Sequence, residues 1–424
     1  TEPLFFILAI GFLILLFLST RVNAYVLSKT TRVIQSLKGK LNSSQSGIPM
    51  RRILLGAQLS FSIIMIALVI IIVDQFRFIR EADKGFEDKD IMVIKTGAQY
   101  STQKPFIEAV RNLSGVAKAD ASTYYSGGVV EKYVFQVETE TGMKELLVPL
   151  MLCGPDYFET LNINIVKGRG FDETSNGQYA YIINETAAKS FGWKDPIGKA
   201  IWGPVHETRG VDETGAVIGV VKDFVFTSIH TKIEPVIIML AGPGWWMQHV
   251  YIKTNPLHAS DLVSSIEKEF KATWPEQPFD WGYLDTKYMS LYEEDNKVKN
   301  IFEVGLVISV LISCLGIFSI SALLVTLRTK EMGVRKVVGA SSMQLFFLHT
   351  NSFTKFLIIS IFISWPAIWY LSGKWLQNFA YHVELNVWYF LIPGFAVLFI
   401  TLLTAGYHGV KNAMINPVDT LKYE

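Results

Sequence analysis

Leu327-Arg-Thr-Lys-Glu-Met-Gly-Val-Arg-Lys-Val-Val-Gly-Ala-Ser-Ser342 is a short basic segment that follows one long apolar run and precedes another. Arg328, Lys330, Arg335 and Lys336 stand against Glu331 alone, and Lys and Arg are retained at the cytoplasmic face of membrane proteins. The segment therefore reads as cytoplasmic. Met332, Val334, Val337 and Val338 place apolar side chains between the charges, and Glu331 to Arg335 is a favourable i,i+4 pair on a short helix. Gly333 and Gly339 permit close backbone approach or a sharp turn. A positive-inside anchor needs only charge. The mixed chemistry of Arg328, Lys330, Glu331, Met332, Gly333, Val334, Arg335, Lys336, Gly339, Ala340 and Ser341 fits a docking element for a soluble partner as well as that anchor.

Five apolar runs reach or approach the roughly 20 residues that cross a bilayer: Pro3 to Leu18, Ile53 to Val73, Ile301 to Leu327, Phe356 to Leu371 and Val387 to Tyr407. The fourth has room to begin earlier, since Leu345 to Leu348 is also apolar. Between the first two runs lie Arg21, Lys29, Arg32, Lys38, Lys40, Arg51 and Arg52 with no Asp or Glu, so this loop is cytoplasmic too. Alternation then puts the polar stretch from Asp74 to Asn300 and the loop from Ser372 to Asn386 outside, and the tail after Tyr407 inside.

The expected division is 1–20 (membrane helix), 21–52 (cytoplasmic basic loop), 53–73 (membrane helix), 74–300 (outer domain with stalk helices) and 301–327 (membrane helix). The 328–352 coupling segment, membrane helices at 353–371 and 387–407, and a cytoplasmic tail at 408–424 complete it. The chain opens at Thr1 on an apolar run without the basic region and cleavage site of a signal peptide. The expectation is that it starts inside a longer protein.

Half of the residues are hydrophobic and 18% are charged, too apolar for a wholly soluble chain of this length and too polar for a pure membrane bundle. The fold class that follows is a multi-pass α-helical membrane protein with a large α+β extracytoplasmic domain on helical stalks. A net charge of +1 supplies no basic field for nucleic acid. The spans hold almost no ionisable residue, only Glu303 and Lys355 near their ends, which argues against an ion path at the midplane. Gly305, Ser309, Ser313 and Gly316 instead form a small-residue stripe for close helix packing, either within one subunit or at a dimer seam.

In the outer stretch, β-rich runs occur at Asp90 to Lys95, Tyr133 to Glu138, Tyr179 to Ile183, Ala216 to Val221, Val236 to Leu240, His249 to Lys253 and Phe279 to Leu284. Helical patterns cover Lys104 to Leu113, Glu185 to Phe191 and Ala259 to Thr273, giving β-α-β pieces near both ends. Tyr288, Leu291, Asp295, Val298 and Phe302 keep helical spacing into the third span without Pro or Gly, which predicts one continuous stalk. Gln75 to Lys84 extends the second span in the same way until Gly85.

Asp156-Tyr-Phe-Glu-Thr-Leu-Asn-Ile-Asn-Ile-Val-Lys-Gly-Arg-Gly-Phe171 resembles the core segment of MacB-type periplasmic domains. So do Ile183-Asn-Glu-Thr-Ala-Ala-Lys189 with Asp195-Pro-Ile-Gly-Lys199, and Val217-Ile-Gly-Val-Val-Lys-Asp-Phe224 followed by Glu234-Pro235. With the coupling segment and Asn416-Pro-Val-Asp-Thr-Leu-Lys-Tyr-Glu424, the chain resembles the MacB/FtsX family of ABC-transporter permeases from about Arg51 onward. The resemblance implies one membrane helix, an extracytoplasmic domain and three further helices, and it favours the docking element over the plain anchor between Arg328 and Ser341. The additional first helix, with Ile34 to Lys38 echoing Val418 to Lys422, suggests the second module of a two-module permease.

Gly192-Trp-Lys-Asp-Pro-Ile-Gly-Lys-Ala200 departs from the phosphate-binding pattern by one residue and by Ala200 in place of the Mg²⁺-binding hydroxyl, and reads as a turn. ATP hydrolysis is then expected in a partner chain. No nucleophile elbow, zinc-protease or paired-cysteine pattern occurs, so no catalytic residue, cofactor or metal ligand is assigned. Cys153 and Cys314 lie far apart, and His206, His230, His249 and His258 read as scattered surface histidines rather than a metal set. Trp245, Trp246, Trp274 and Trp281 read as core and loop anchors, with Gly242 to Trp246 a recognition loop if it faces the surface.

Two functions remain open. One is a permease subunit in the bacterial inner membrane that transmits ATP-driven motion to its periplasmic domain. Its partners would be a cytoplasmic ABC ATPase dimer, a second permease module or copy, membrane lipid and a periplasmic or outer-membrane protein, with no nucleic acid. The other is a membrane-anchored sensor or scaffold whose outer domain binds a ligand.

Overall fold

The structure is a computed structural model that describes residues 48–123, 130–139, 142–172, 180–203, 214–228, 230–255 and 259–413. The expected first span, most of the first basic loop, His206, His258 and the terminal motif after Ala413 lie outside the described residues.

The elements in chain order begin with α1 (Ile48–Glu81), β1 (Ile91–Gln99), α2 (Tyr100–Arg111), β2 (Val116–Ser122), β3 (Lys132–Thr139), β4 (Gly142–Cys153) and α3 (Tyr157–Thr160). There follow β5 (Ile165–Gly168), β6 (Ala180–Asn184), α4 (Glu185–Ser190), β7 (Ala200–Trp202), β8 (Thr214–Val221), β9 (Ile237–Leu240) and β10 (Trp246–Thr254). The last are α5 (Ala259–Thr273), β11 (Trp281–Tyr283), α6 (Leu284–Ser290), α7 (Glu293–Val337), α8 (Ser342–Leu376) and α9 (Trp388–Ala413). The chain divides into a membrane unit, made of residues through Phe78, Glu294–Asn378 and from His382 on, and an outer unit, Ile79–Glu293 with Phe379–Tyr381.

In the membrane unit, Ile53–Glu81, Glu293–Ser319, Thr354–Leu376 and Trp388–Tyr407 are helical stretches long and apolar enough to cross a membrane. Val304, Val307, Leu311, Leu315 and Phe318 recur every three or four residues on α7 and stay exposed, as suits a lipid-facing stripe. The buried seams use hydroxyls. A serine in hydrocarbon must find an acceptor within the protein, and its small side chain lets backbones approach. Ser360 Oγ donates to the Gly56 carbonyl at 2.9 Å and Ser364 Oγ to the Ser60 carbonyl at 3.1 Å, joining α8 to α1. Between α8 and α9, Trp365 meets Phe390 edge-on at 6.0 Å and Gly394 leaves room for Ile361.

The outer unit is built on β1-α2-β2 and β10-α5-β11, whose strands pair antiparallel in the order β11-β1-β10-β2. This is a pair of split β-α-β units. Strands β3 to β9 are inserted between β2 and β10. Six of these seven run in the order β4-β3-β7-β8-β6-β9, β5 pairs with β8 off that path, and β9 returns to pair with β4 in parallel, closing a six-stranded barrel. One core runs from the helix-covered face of the sheet into the barrel, taking in Phe106, Phe270, Phe135, Tyr181 and Ile237. A second core, including Val93, Tyr157, Phe158, Phe224, Tyr251 and Leu284, fills the other face. The residues from Leu150 to Cys153 alternate between the two, so this part of β4 is apolar at every position.

Pro149 sits inside β4 without breaking it. The Leu150 N–H donates to Glu131, so the nitrogen of Pro149 points to the opposite edge, where pairing with β9 begins only at Leu150.

The expected unbroken stalk from Tyr288 into the third span is corrected. Helix α6 ends at Ser290 and α7 starts at Glu293, with Leu291 and Tyr292 bonded to carbonyls three residues back. Tyr288 and Tyr292 are both fully buried in the outer unit. Burial of two large rings outweighs the regular helical spacing. On the other side α1 runs to Glu81, and Gly85 adopts φ 75.

Candidate functional site

Most of the segment expected to be a separate cytoplasmic element is helix. Arg328, Lys330, Glu331, Met332, Gly333, Val334, Arg335 and Lys336 belong to the last turns of α7, and only Val338 to Ser341 separate α7 from α8. Gly339 provides the turn at φ 103, whereas Gly333 lies within the helix. The Gly339 N–H donates to the Lys336 carbonyl at 3.1 Å and the Ala340 N–H to the Arg335 carbonyl at 2.9 Å. These two bonds make a Schellman cap, which satisfies carbonyls the helix would otherwise leave open.

The next helix is capped at once. Ser341 Oγ accepts from the Gln344 N–H at 3.2 Å and Gln344 Oε1 accepts from the Ser341 N–H at 3.0 Å, a complete capping box. Two adjacent caps leave a four-residue turn with little freedom. On it and beside it Val334, Val337, Val338, Met343 and Phe347 are exposed, Val338 at 81%. The arrangement offers apolar knobs flanked by basic residues, which suits docking. The Glu331 side chain, and with it the expected pair to Arg335, lies outside the described residues.

Gly305, Ser309, Ser313 and Gly316 face α1 of the same chain. Ser62 Oγ lies 2.8 Å from Ser309 Oγ and 2.9 Å from Ser313 Oγ, and all three serines are buried. A Cβ on Gly305 would stand 2.9 Å from Met65 Cε, and one on Gly316 2.7 Å from Gln58 Oε1.

Residues shared with the MacB-type motifs hold the barrel together. Asn184 accepts from the Ala187 N–H, capping α4, and from the Val236 N–H, and donates to the Glu234 carbonyl. Asp223 accepts from the Thr186 N–H and hydroxyl at 2.8 and 2.7 Å. Positions 192–199 form turns with Gly192 and Gly198 at positive φ. Trp274 is buried, Trp245 and Trp281 pack against the core, and Trp246 is exposed beside Gln99. Among the described residues no group of three or more His, Cys, Asp and Glu side chains is placed to hold a metal ion.

Asp120 has no distinguishing signal in the sequence. It is fully buried on β2 and accepts from the Ala121 and Asp156 N–H groups at 2.8 and 2.6 Å. Burial pushes its carboxyl up to about 7, opposed by those bonds and by Arg111. Only glycine fits beside it, because a Cβ on Gly154 would overlap the carboxylate. Burial also raises the Cys153 thiol, and it lowers His249 to about 4 with help from Lys287 and Lys95.

Two family models match the chain, the MacB-like periplasmic core domain over residues 59–265 and the FtsX-like permease C-terminal domain over 304–417. The macrolide export ATP-binding/permease protein MacB of Aggregatibacter actinomycetemcomitans is 23% identical over 273 residues, 60% of this chain and 39% of that one. The protein of the same name from Vibrio parahaemolyticus is 28% identical over 198 residues, 44% of this chain and 29% of that one. The chain thus spans less than half the length of these relatives. Among solved structures, the periplasmic region of MacB from Actinobacillus actinomycetemcomitans aligns with TM-score 0.37 and 16% identity over 50% of this chain and 96% of that one. A domain of a putative permease from Porphyromonas gingivalis aligns with TM-score 0.33 and 14% identity over 46% and 88%.

Proposed function

The chain belongs to the MacB/FtsX family of permeases, and from that premise we propose that it is the permease subunit of an ABC transporter complex that works by mechanotransmission. It is a multi-pass inner-membrane protein with a large periplasmic domain. The family implies an ABC ATPase partner. In our proposal this ATPase is a separate cytoplasmic dimer, and a second permease module or copy completes the pair within the lipid. ATP-driven closure displaces the α7–α8 turn, and the helices carry the displacement to the outer unit. The work done there is export, lipoprotein extraction or cell-envelope regulation, with a periplasmic or outer-membrane partner receiving it.

The observation that carries this proposal is the turn itself. Exposed Val337 and Val338 stand beside Arg335 and Lys336 on a backbone locked by a Schellman cap and a capping box. Exposed valines at a helix end are costly in water and useful against a partner. The test is purification of the full-length protein from its own membranes in mild detergent, with Glu331→Lys plus Arg335→Glu as control. A co-purifying ATPase that the control loses is the expected result. Absence of an ATPase from both samples would overturn the proposal in favour of a sensor or scaffold.

A further inference from the structure

Two tryptophans stand side by side after Gly242-Pro-Gly, and the outer unit sends them to different sides of its sheet. Ala98 on β1 and Met247 on β10 are cross-strand partners, and both turn into the helix-covered core. Side chains alternate along a strand, so Gln99 and Trp246, the next pair of partners, turn to the opposite face, as does Gln248. Trp245 packs against the helix-covered core, whereas Trp246 is 58% exposed. All of these residues belong to the outer unit.

The turn that presents Trp246 is held by its backbone. The Trp245 N–H donates to the Gly242 carbonyl at 3.1 Å, the Tyr100 N–H to the Trp245 carbonyl at 2.8 Å and the Ser101 N–H to the Pro243 carbonyl at 3.0 Å. The loop is thus bonded to the first residues of α2. Gln99 and Gln248 are exposed, and among the described residues their side-chain amides make no hydrogen bond. Thr96 and Gly97 stand opposite Gln248 where β1 bulges. Gly97 takes φ 52, and a Cβ there would meet only Gln248 Oε1, at 3.6 Å, so no side chain walls off this side. Along β1 and β10 the first acidic or basic residues beyond the patch are Lys95 and His249, and burial keeps His249 neutral by lowering it to about 4.

A single exposed ring is ordinary on a protein surface. Here the ring sits on a fixed backbone between two amides left to water, in a patch poor in charge, and that set of groups matches a neutral ligand rich in hydroxyls. We propose that Trp246, Gln99 and Gln248 form a binding site for a neutral β-1,4-linked chain of N-acetylhexosamines. The face of an indole carries negative charge density, which attracts the polarised C–H bonds on the flat side of a pyranose ring. Each glutamine supplies two donors and one acceptor, and together they meet sugar hydroxyls and the acetamido group, which offers one donor and one acceptor of its own. A β-1,4 linkage makes an extended ribbon with its rings nearly in one plane, the shape that a platform without walls receives. The site goes beyond the permease reading and does not depend on it.

The test is saturation-transfer NMR on the full chain in a detergent without a sugar headgroup, titrated with chitotetraose to about 10 mM. The wild type is expected to transfer saturation to the ring and acetyl protons of the sugar. Trp246→Ala should weaken binding about tenfold or more, and Gln99→Ala and Gln248→Ala about threefold each. Thermal midpoints should stay at the wild-type value, because all three side chains are exposed. Trp246→Phe, which keeps a ring, retains most of the binding, and Leu147→Ala, another exposed apolar position on β4, leaves it unchanged. Cellotetraose, which has the same linkage and no acetamido group, should bind more weakly than chitotetraose. No transfer from the wild type, or equal binding by the wild type and Trp246→Ala, overturns the site, and equal binding of the two sugars overturns its preference for acetamido groups. Each of these outcomes leaves the permease reading intact, since that reading is tested by the co-purifying ATPase.

Discussion

The Ala340 N–H donates to the Arg335 carbonyl across 2.9 Å, and this bond closes the turn between α7 and α8. It exists because Gly339 takes φ 103, a conformation that costs a side-chain-bearing residue about 1–2 kcal/mol. Nothing stands within 4 Å of a Cβ at this position, so Gly339→Ala tests the backbone alone. The variant should keep wild-type helicity by circular dichroism and retain roughly tenfold less ATPase on co-purification, the equivalent of about 1.4 kcal/mol. Undiminished ATPase recovery would mean that the turn geometry does not matter for docking.

The Ser62 hydroxyl is shared by Ser309 and Ser313. Ser62→Ala should destabilise the α1–α7 seam by about 0.6 kcal/mol, and by no more than about 1.7, because hydrogen bonds between membrane helices fall in that range. Ser313 keeps the Gln58 carbonyl, at 3.3 Å, as an alternative acceptor. Gly305→Ala and Gly316→Ala meet only the flexible ends of Met65 and Gln58 and should cost less than a backbone clash would. Reversible unfolding of the full chain in bicelles measures all three. A Gly316→Ala protein that fails to assemble would show that the contact is rigid.

The four apolar helices among the described residues were legible in the sequence because apolar run length acts locally. Strands with β-branched alternation, such as β6 and β8, were legible for the same reason. β2 was not. Its Val-Ala-Lys-Ala-Asp-Ala-Ser reads as neither helix nor strand, yet Ala119 and Ala121 are small because they lie buried in the helix-covered core. β4 was hidden by Pro149 and by burial on both faces, and both become intelligible only once its neighbours are known. The basic residues between Arg328 and Lys336 were visible as a charge pattern, whereas the two caps after them depend on which of Gly333 and Gly339 turns the chain. Asp120 gains its meaning from burial and from the Asp156 N–H, 36 residues away in sequence, and no local pattern marks it.

Gly219 on β8 is a packing requirement of a different kind. A Cβ there would stand 2.3 Å from the Arg169 carbonyl, and one on Gly168, already at φ 73, would stand 2.1 Å from the Ile218 carbonyl. Backbone cannot yield as a side-chain tip does. Gly219→Ala should therefore separate β5 from β8 and cost at least about 2 kcal/mol, in the range of overpacked sites. Exchange at Ile165 to Gly168 reports it directly. Unchanged protection of those amides in the variant would mean that β5 has room to shift.

Asp120 and His249 lie on one face of the neighbouring strands β2 and β10, and their protonation pulls stability in opposite directions. Asp120 is raised to about 7 from 3.8, so the native state holds the proton longer than the unfolded chain. Its contribution is complete below about pH 4 and is lost as pH rises toward 7, at about 1.4 kcal/mol per pH unit. His249 is lowered to about 4 from 6.5, so the unfolded chain binds more protons in that window and stability rises with pH at a similar slope. Between about pH 4 and 6.5 the two slopes offset each other in the wild type. Asp120→Asn should expose the rising slope, with thermal midpoints that increase from acid to neutral pH. His249→Gln should expose the falling slope, with midpoints that decrease until about pH 7. Near-ultraviolet circular dichroism of the full chain in detergent follows the aromatic residues of the outer unit through both titrations. Parallel curves for the wild type and the two variants would show that neither group titrates with folding.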